Sequence, residues 1–152
     1  MYADTVTLFN HYRSKTADVW YPTVLHEVDL NADRAIIMSR FGAESADKAI
    51  LHIRYAPLAD NSVMVGNKPY LPPLEWSRLT NDELDKFITF KGGTAFDFIL
   101  HGDWGSSEPI YDMDYDSDVG FYNYMSRLYD GVYAISSVAQ YSVIPHFEIL
   151  AK

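Results

Sequence analysis

The chain has 152 residues and no cysteine, and its 21 acidic against 12 basic residues give a formal net charge of −9. This composition excludes disulfides and thiolate metal sites, and it disfavours tight DNA binding, because nucleic-acid affinity comes mainly from Lys and Arg neutralising backbone phosphates. No apolar run approaches the roughly 18 residues of a membrane helix, and the first residues lack the features of a signal peptide. We therefore expect a single soluble β-rich domain over residues 1–152, with no membrane contact, in a reducing cytoplasm.

The first half of the chain predicts strands, because β-branched and aromatic residues dominate it and alternate with period two. Three segments carry this pattern: Thr5–Tyr12, Val19–Leu30 and Ala49–Tyr55. Pro22 cannot donate a ladder hydrogen bond, so it predicts a sheet edge or a bulge in the second of them. In the third, His52 points away from the apolar face. Ala35–Arg40 fits a short strand or a helical turn, and residues 56–73 predict a long loop around a brief strand, Ser62–Val65.

The middle of the chain combines a helix start with a glycine turn. Residues 80–83, Thr-Asn-Asp-Glu, form a capping box, which predicts a short helix beginning there. Phe87–Phe90 and Thr94–His101 flank Lys91-Gly92-Gly93 and predict a hairpin in which Asp97 lies opposite the apolar face. The acidic and aromatic residues 103–118 predict a second long loop.

The last third of the chain predicts one helix and two strands. Apolar residues recur at i, i+4 and i+7 in Val119–Tyr129, which indicates a helix at about 119–130. Val132–Val138 and Val143–Leu150 predict a strand pair, and Pro145 predicts that the second strand lies at a sheet edge or carries a bulge. A second chain could complete such an edge. The fold class is therefore mainly β (α+β): a small barrel or sandwich with this one helix and long loops.

The sharpest chemical pattern is the row of alternate acids Asp112, Asp114, Asp116 and Asp118, which resembles a calcium-binding loop. The match is poor, because Ser117 stands where the sharp-turn glycine belongs, and the bidentate Glu is replaced by Asn. Asp112, Asp114 and Asp116 are therefore weak metal candidates. The alternative is a solvated loop whose acids cap the following helix.

His101, Asp103 and Trp104 put an imidazole, a carboxylate and an indole close together in sequence, as acid–base catalysis requires. No nucleophile elbow, His-Glu-x-x-His motif or Gly-rich phosphate loop accompanies them. We therefore expect no enzymatic activity and no cofactor. The other four histidines lie on strand-like segments and are interpreted as exposed or hydrogen-bonded residues, with their pairing in space left open: His11, His26, His52 and His146.

Twelve Tyr, eight Phe and three Trp are more aromatic surface than a small core needs, and such side chains are enriched at protein interfaces. Core packing explains them equally well. We take Trp20, Tyr21, Pro145 and Phe147 as the interface candidates.

Five segments, read in order, resemble a family of short tailed-bacteriophage proteins encoded among the head and head-to-tail joining genes, some of them labelled minor capsid proteins. The segments are TVTLFN at 5–10, WYPTVL at 20–25, LPPLEW at 71–76, GFYNYM at 120–125 and YSVIPHFEI at 141–149. The resemblance covers nearly the whole chain. By a weaker analogy of architecture, the chain is similar to the head-completion or stopper proteins of the phage neck.

The resemblance implies a virion structural protein assembled in the host cytoplasm. Copies would form a ring of about six or twelve subunits between portal or adaptor proteins and the tail, with packaged DNA passing through without sequence-specific binding. A tail terminator or another tail component is the nearby alternative. The alternative of another class is a small metal- or ligand-binding domain, or a hydrolase, that uses His101, Asp103 and the Asp112–Asp118 region.

Overall fold

The computed structural model describes residues 2–152 and is mainly β, as the alternation predicted. Its strands are β1 (Asp4–Arg13), β2 (Asp18–Asn31), β3 (Ala49–Arg54), β4 (Ala56–Pro57), β5 (Val63–Val65), β6 (Lys68–Pro69), β7 (Phe98–His101), β8 (Ile110–Tyr111), β9 (Val132–Tyr141) and β10 (His146–Ala151). Its α-helices are α1 (Arg34–Phe41), α2 (Pro73–Ser77) and α3 (Phe121–Leu128), and two 3-10 helices span Leu84–Lys86 and Asp112–Asp118. None of these helices is long and apolar enough to cross a membrane.

Six strands close into an antiparallel barrel in the order β1-β7-β9-β10-β3-β2, because β2 pairs back onto β1. Two long strands make this closure possible by bending from one set of partners to the next. The first part of β2 pairs with β1 and its last three residues pair with β3, while β9 passes from β7 to β10. The bend in β2 contains a bulge, where Glu27 adopts a left-handed φ of 56°. Closure removes the open edges that a sandwich would leave.

Pro22 lies where the sequence required it. It pairs with Phe9 of β1 on one side, whereas β8 pairs only with Val19 and Trp20 and β3 begins its pairing with β2 at Asp29. Pro22, which has no backbone N–H to donate, therefore lies in a stretch of β2 that has no second ladder partner among the described residues.

Side chains are buried on both faces of the barrel wall. The interior contains alternate residues of β1, β3 and β10: Val6, Leu8, Leu51, Ile53, Phe147 and Ile149. On the outside of β1 and β7, an aromatic cluster lies beneath α3 and contains Phe9, Trp20, Phe98, Phe121 and Met125. A third cluster forms around Trp76 of α2, with Val19, Tyr21 and Leu84.

The predicted strand Val143–Leu150 is wrong at its start and in its position. Residues 142–145 form the turn of the β9–β10 hairpin, and β10 begins only at His146, after Pro145. Because Pro145 lies in the turn, it does not interrupt a ladder, and β10 pairs with β9 on one side and β3 on the other. The last strand is therefore central, and it cannot be completed by a second chain.

Ala35–Arg40, whose sequence fits both a strand and a helical turn, is helical, since Asp33 accepts hydrogen bonds from the backbone N–H groups of Ala35 and Ile36 at the start of α1. Two other predictions need correction. The capping box leads only to a 3-10 turn, and Phe87–Phe90 forms no strand beyond one bridge at Ile88.

The helix of the last third is shorter than predicted at its start. It begins at Phe121, because Val119 and Gly120 take positive φ angles of 59° and 110° that a right-handed helix excludes.

Candidate functional site

The acidic row at 112–118 does not converge on a cation. Asp112 turns inward, where its Oδ1 accepts one hydrogen bond from Trp20 Nε1 and another from the Phe121 backbone N–H, each 2.8 Å long. Asp114 and Asp116 are exposed, and Asp118 forms an ion pair with Arg127. Asp112 therefore caps α3 and anchors it to β2, which is the helix-capping alternative and not the metal-loop interpretation.

We predict that Asp112→Ala lowers the free energy of unfolding by about 2 kcal/mol, because it leaves an indole N–H and a helix-start N–H without an acceptor. Asp114→Ala and Asp116→Ala are the matched controls and should change it by less than about 0.5 kcal/mol. Urea denaturation with and without calcium measures both effects. A calcium-dependent loss shared by all three variants would restore the metal-loop interpretation.

The structure does not bring His101, Asp103 and Trp104 together as a catalytic group. His101 Nε2 lies 3.9 Å from Asp4 Oδ1, whereas Asp103 accepts a hydrogen bond from the Gly105 N–H. The indole of Trp104 packs against Phe9 and Phe121 in the aromatic cluster. The imidazole and the Asp103 carboxylate thus have separate partners.

Three of the four predicted interface residues belong to the core of this chain. Trp20, Tyr21 and Phe147 are at most 7% exposed, and each packs within one of the three clusters. Their side chains have little surface to offer to a partner. Pro145 lies in the exposed hairpin turn and is the one candidate of the four at the surface.

The β9–β10 turn, residues 142–145, presents two adjacent, highly exposed apolar side chains. Val143 is 97% exposed and Ile144 is 75% exposed. The turn is held in place from both sides, since the Tyr55 hydroxyl donates to the Tyr141 carbonyl over 2.7 Å and the Tyr141 ring stacks on His146. We call residues 142–145 the hairpin tip.

Next to the hairpin tip, two histidines and a glutamate converge on the outer wall of the barrel. His52 of β3 lies directly opposite Glu148 of β10, and its Nε2 is 3.2 Å from Glu148 Oε2. One ligand atom each of His52, His146 and Glu148 falls within 4.8 Å of the other two. No other group of three or more His, Asp or Glu side chains within residues 2–152 meets that criterion. We call these three residues the His–Glu cluster.

Two charged residues flank the His–Glu cluster. Asp29 of β2, the residue paired with His52 on its other side, places Oδ2 at 3.5 Å from His52 Nδ1. The guanidinium Nη2 of Arg40, in α1, lies 3.2 Å from Glu148 Oε1. The sequence predicted that His52 points outward, but only the register of β3 against β10 shows which residues it meets.

A second polar group that sequence reasoning missed lies at the end of the barrel. Asp97, predicted to lie opposite an apolar face, is fully buried. Its Oδ1 accepts a hydrogen bond from the His11 N–H (2.7 Å), and its Oδ2 accepts one from Asn10 Nδ2 (2.9 Å). Burial raises the pKa of the Asp97 carboxyl to about 7, against the opposing effects of the Lys91 charge and these hydrogen bonds.

A protein family described as a family of unknown function, DUF6751, matches residues 1–152. The chain belongs to this family. Comparison with curated proteins and with solved structures found no match.

In this DUF6751 chain, the hairpin tip and the His–Glu cluster are two adjoining surface features that core packing does not explain. The tip exposes apolar side chains that would be buried if they only served stability. The cluster gathers imidazole and carboxylate groups from two central strands. The features adjoin, because His146 belongs to the cluster and stacks on the strand that leads into the tip.

Proposed function

We propose that this chain is a structural subunit of a bacteriophage virion, a head-completion or stopper-like component of the head-to-tail connector. Copies would assemble in the host cytoplasm into a ring between the portal or adaptor and the tail, and DNA would pass through it. The observation that carries the proposal is a closed barrel with a rigid apolar hairpin tip, Val143 and Ile144, at its surface.

The closed barrel limits how such a ring can form. Each wall strand is paired on both sides along at least part of its length, so subunits would not join by adding strands to the barrel. Contacts would instead use parts that extend from it, and the hairpin tip is the best candidate. One patch that contacts a different patch on the next copy is the heterologous arrangement that generates closed rings.

The rigidity of the tip supports a role in assembly. Binding costs less when the contacting segment is already ordered, and the tip continues two barrel strands that are fixed by the Tyr55 hydrogen bond and the Tyr141–His146 stack. Burying a valine or isoleucine side chain contributes about 1.5–3 kcal/mol. Two such side chains at each of six or twelve contacts would contribute substantially to ring stability.

The charge of the chain supports a DNA channel without DNA binding. With a formal net charge of −9, the subunit repels phosphate backbones, and exposed acids such as Asp114 and Asp116 would let a duplex slide past. A tail terminator would share these features. The position of the subunit in the particle distinguishes the two roles.

We predict that Val143→Ser with Ile144→Ser leaves the chain folded but weakens each subunit contact by roughly 100-fold, equivalent to about 3 kcal/mol. Ring formation is measured by mass photometry of the purified chain, and by plaque formation when the variant replaces the native gene. Leu74→Ser, at another apolar site that is 63% exposed, is the matched control.

The proposal also has a direct structural test. Electron cryomicroscopy of the parent particle should show the chain as a ring in the neck. A ring at the distal tail end would support the tail-component alternative. A particle that lacks the chain, or a double variant that assembles like the Leu74 control, would contradict the proposal.

A further inference from the structure

The His–Glu cluster has the donor atoms that zinc prefers, namely imidazole nitrogen and carboxylate oxygen. Two ligands bound tetrahedrally at about 2.0–2.1 Å from one ion lie about 3.3 Å from each other. His52 Nε2 and Glu148 Oε2 are 3.2 Å apart, so they already have that separation. One ligand atom of His146 lies within 4.8 Å of one each of His52 and Glu148, and its half-exposed ring would have to move closer to complete a tetrahedral site.

The hydrogen bonds around the cluster orient both imidazoles for metal binding. A ligating histidine usually donates its second ring N–H to a carbonyl or carboxylate, which fixes the tautomer and leaves the other nitrogen with its lone pair. His146 Nδ1 lies 2.7 Å from the Ile144 carbonyl oxygen, and His52 Nδ1 lies 3.5 Å from Asp29 Oδ2, an ion-pair distance. His52 Nε2 forms a hydrogen bond with Glu148 Oε2 without the metal, and a cation bound between the two atoms would replace the shared proton.

We propose that His52, His146 and Glu148 bind one Zn²⁺ ion per chain, with water in the fourth position. Asp29 is then an outer-shell partner that orients His52, and Arg40 donates to both Glu148 oxygens, at 3.2 Å and 3.3 Å, so zinc would share Oε2 with it. Ca²⁺ and Mg²⁺ prefer all-oxygen sites, so the two nitrogens select against them. This inference does not depend on the proposed connector function.

The strands make the ligand positions rigid. Glu148 and His52 are directly paired residues in the β3–β10 ladder, and His146 is two residues along the same face of β10. A bound ion would link these two strands, and it would fix His146, on which Tyr141 stacks. Zinc binding should therefore stabilise the fold.

The test is a titration of metal-free full-length chain with Zn²⁺, followed by calorimetry and by the thermal unfolding midpoint. We expect one ion per chain and a higher midpoint, with no response to Ca²⁺ or Mg²⁺ at the same concentration. His52→Gln, His146→Gln and Glu148→Gln should each weaken binding by more than about tenfold, and Asp29→Asn by about tenfold. His26→Gln and His101→Gln are the matched controls, because both histidines lie outside the cluster.

Arg40→Ala adds a readout that a nonspecific surface site would not show. It removes a cation from Glu148, so it should tighten Zn²⁺ binding. Imidazole ¹⁵N spectra of the native chain report the ligands even if a variant fails to fold: Zn²⁺ should shift the Nε2 signals of His52 and His146 only. The inference is overturned if the native chain binds no zinc, if the control variants lose affinity equally, or if binding survives without His146.

Discussion

Replacing Asp97 with alanine is expected to lower the free energy of unfolding by about 3–5 kcal/mol, the largest stability effect of any substitution proposed for this chain. The side chain is fully buried and accepts hydrogen bonds from the His11 backbone and the Asn10 amide. Alanine leaves these donors without their acceptor, and it removes the oxygen that lies 3.8 Å from the Lys91 ammonium. Urea denaturation at pH 4, where the contribution of Asp97 to stability is still present, measures the loss.

Asp116→Ala is the matched control, because it removes an exposed carboxylate of the same type. The backbone of Asp97 does not depend on its side chain, since its N–H donates to the Lys91 carbonyl and its carbonyl accepts from Ile135. A loss in Asp97→Ala as small as that in the control would show that the buried carboxylate network contributes nothing to stability.

The strands were predictable because a half-buried strand has period-two alternation, but the same rule failed at Asp97. Alternation separates inside from outside only where one face of a strand is wet. Around β7 both faces are covered, since Ile99 faces the barrel interior while Phe98 lies beneath α3. A residue opposite an apolar face is then still buried, and the sequence offers no signal of it.

The His–Glu cluster could not be predicted from the sequence for a different reason. The alternation in Ala49–Tyr55 correctly directed His52 outward, but its neighbours depend on the register of β3 against β10. That register joins residues 96 positions apart in the sequence, His52 and Glu148, and no turn connects the two strands. A one-residue shift would change every cross-strand pair, so no side-chain cluster on this wall could be predicted.

Closure of the barrel excludes assembly by strand pairing between the barrels of neighbouring copies. An open edge strand would have given a simple route to a ring by strand pairing, but β10 is central and the aromatic surplus fills three internal clusters. The hairpin tip with the neighbouring His–Glu cluster is the surface that the proposal assigns to partners. A stable barrel with a small contact site suits a subunit that keeps its shape beside packaged DNA. The connector proposal depends on this property.

The two buried titratable groups at the barrel end are expected to give opposite pH dependences. Burial raises the pKa of Asp97 from 3.8 to about 7, so its contribution is fully present below pH 4 and is lost as the pH rises through 7, a change of roughly 4 kcal/mol. Burial lowers the pKa of His11 from 6.5 to about 4, so its contribution is present above pH 6.5 and is lost as the pH falls towards 4. Between pH 4 and 6.5, the contribution of Asp97 to the free energy of unfolding falls with rising pH while that of His11 increases, so the two partly cancel in the native chain.

Single substitutions should separate the pH dependence of stability that is due to Asp97 from that due to His11. Relative to the native sequence, Asp97→Asn should gain stability as the pH rises from 4 to 7, because over this range the native sequence ionises Asp97 when unfolded and keeps it protonated when folded, whereas asparagine does not titrate. His11→Phe keeps an aromatic ring against Trp20, where the His11 ring now stacks at 4.0 Å, but it cannot take up a proton. It should therefore lose stability relative to the native chain over pH 4 to 6.5. Urea denaturation at four pH values tests both, and two difference curves that stay flat would contradict the assignment, since groups common to all three proteins cancel in the differences.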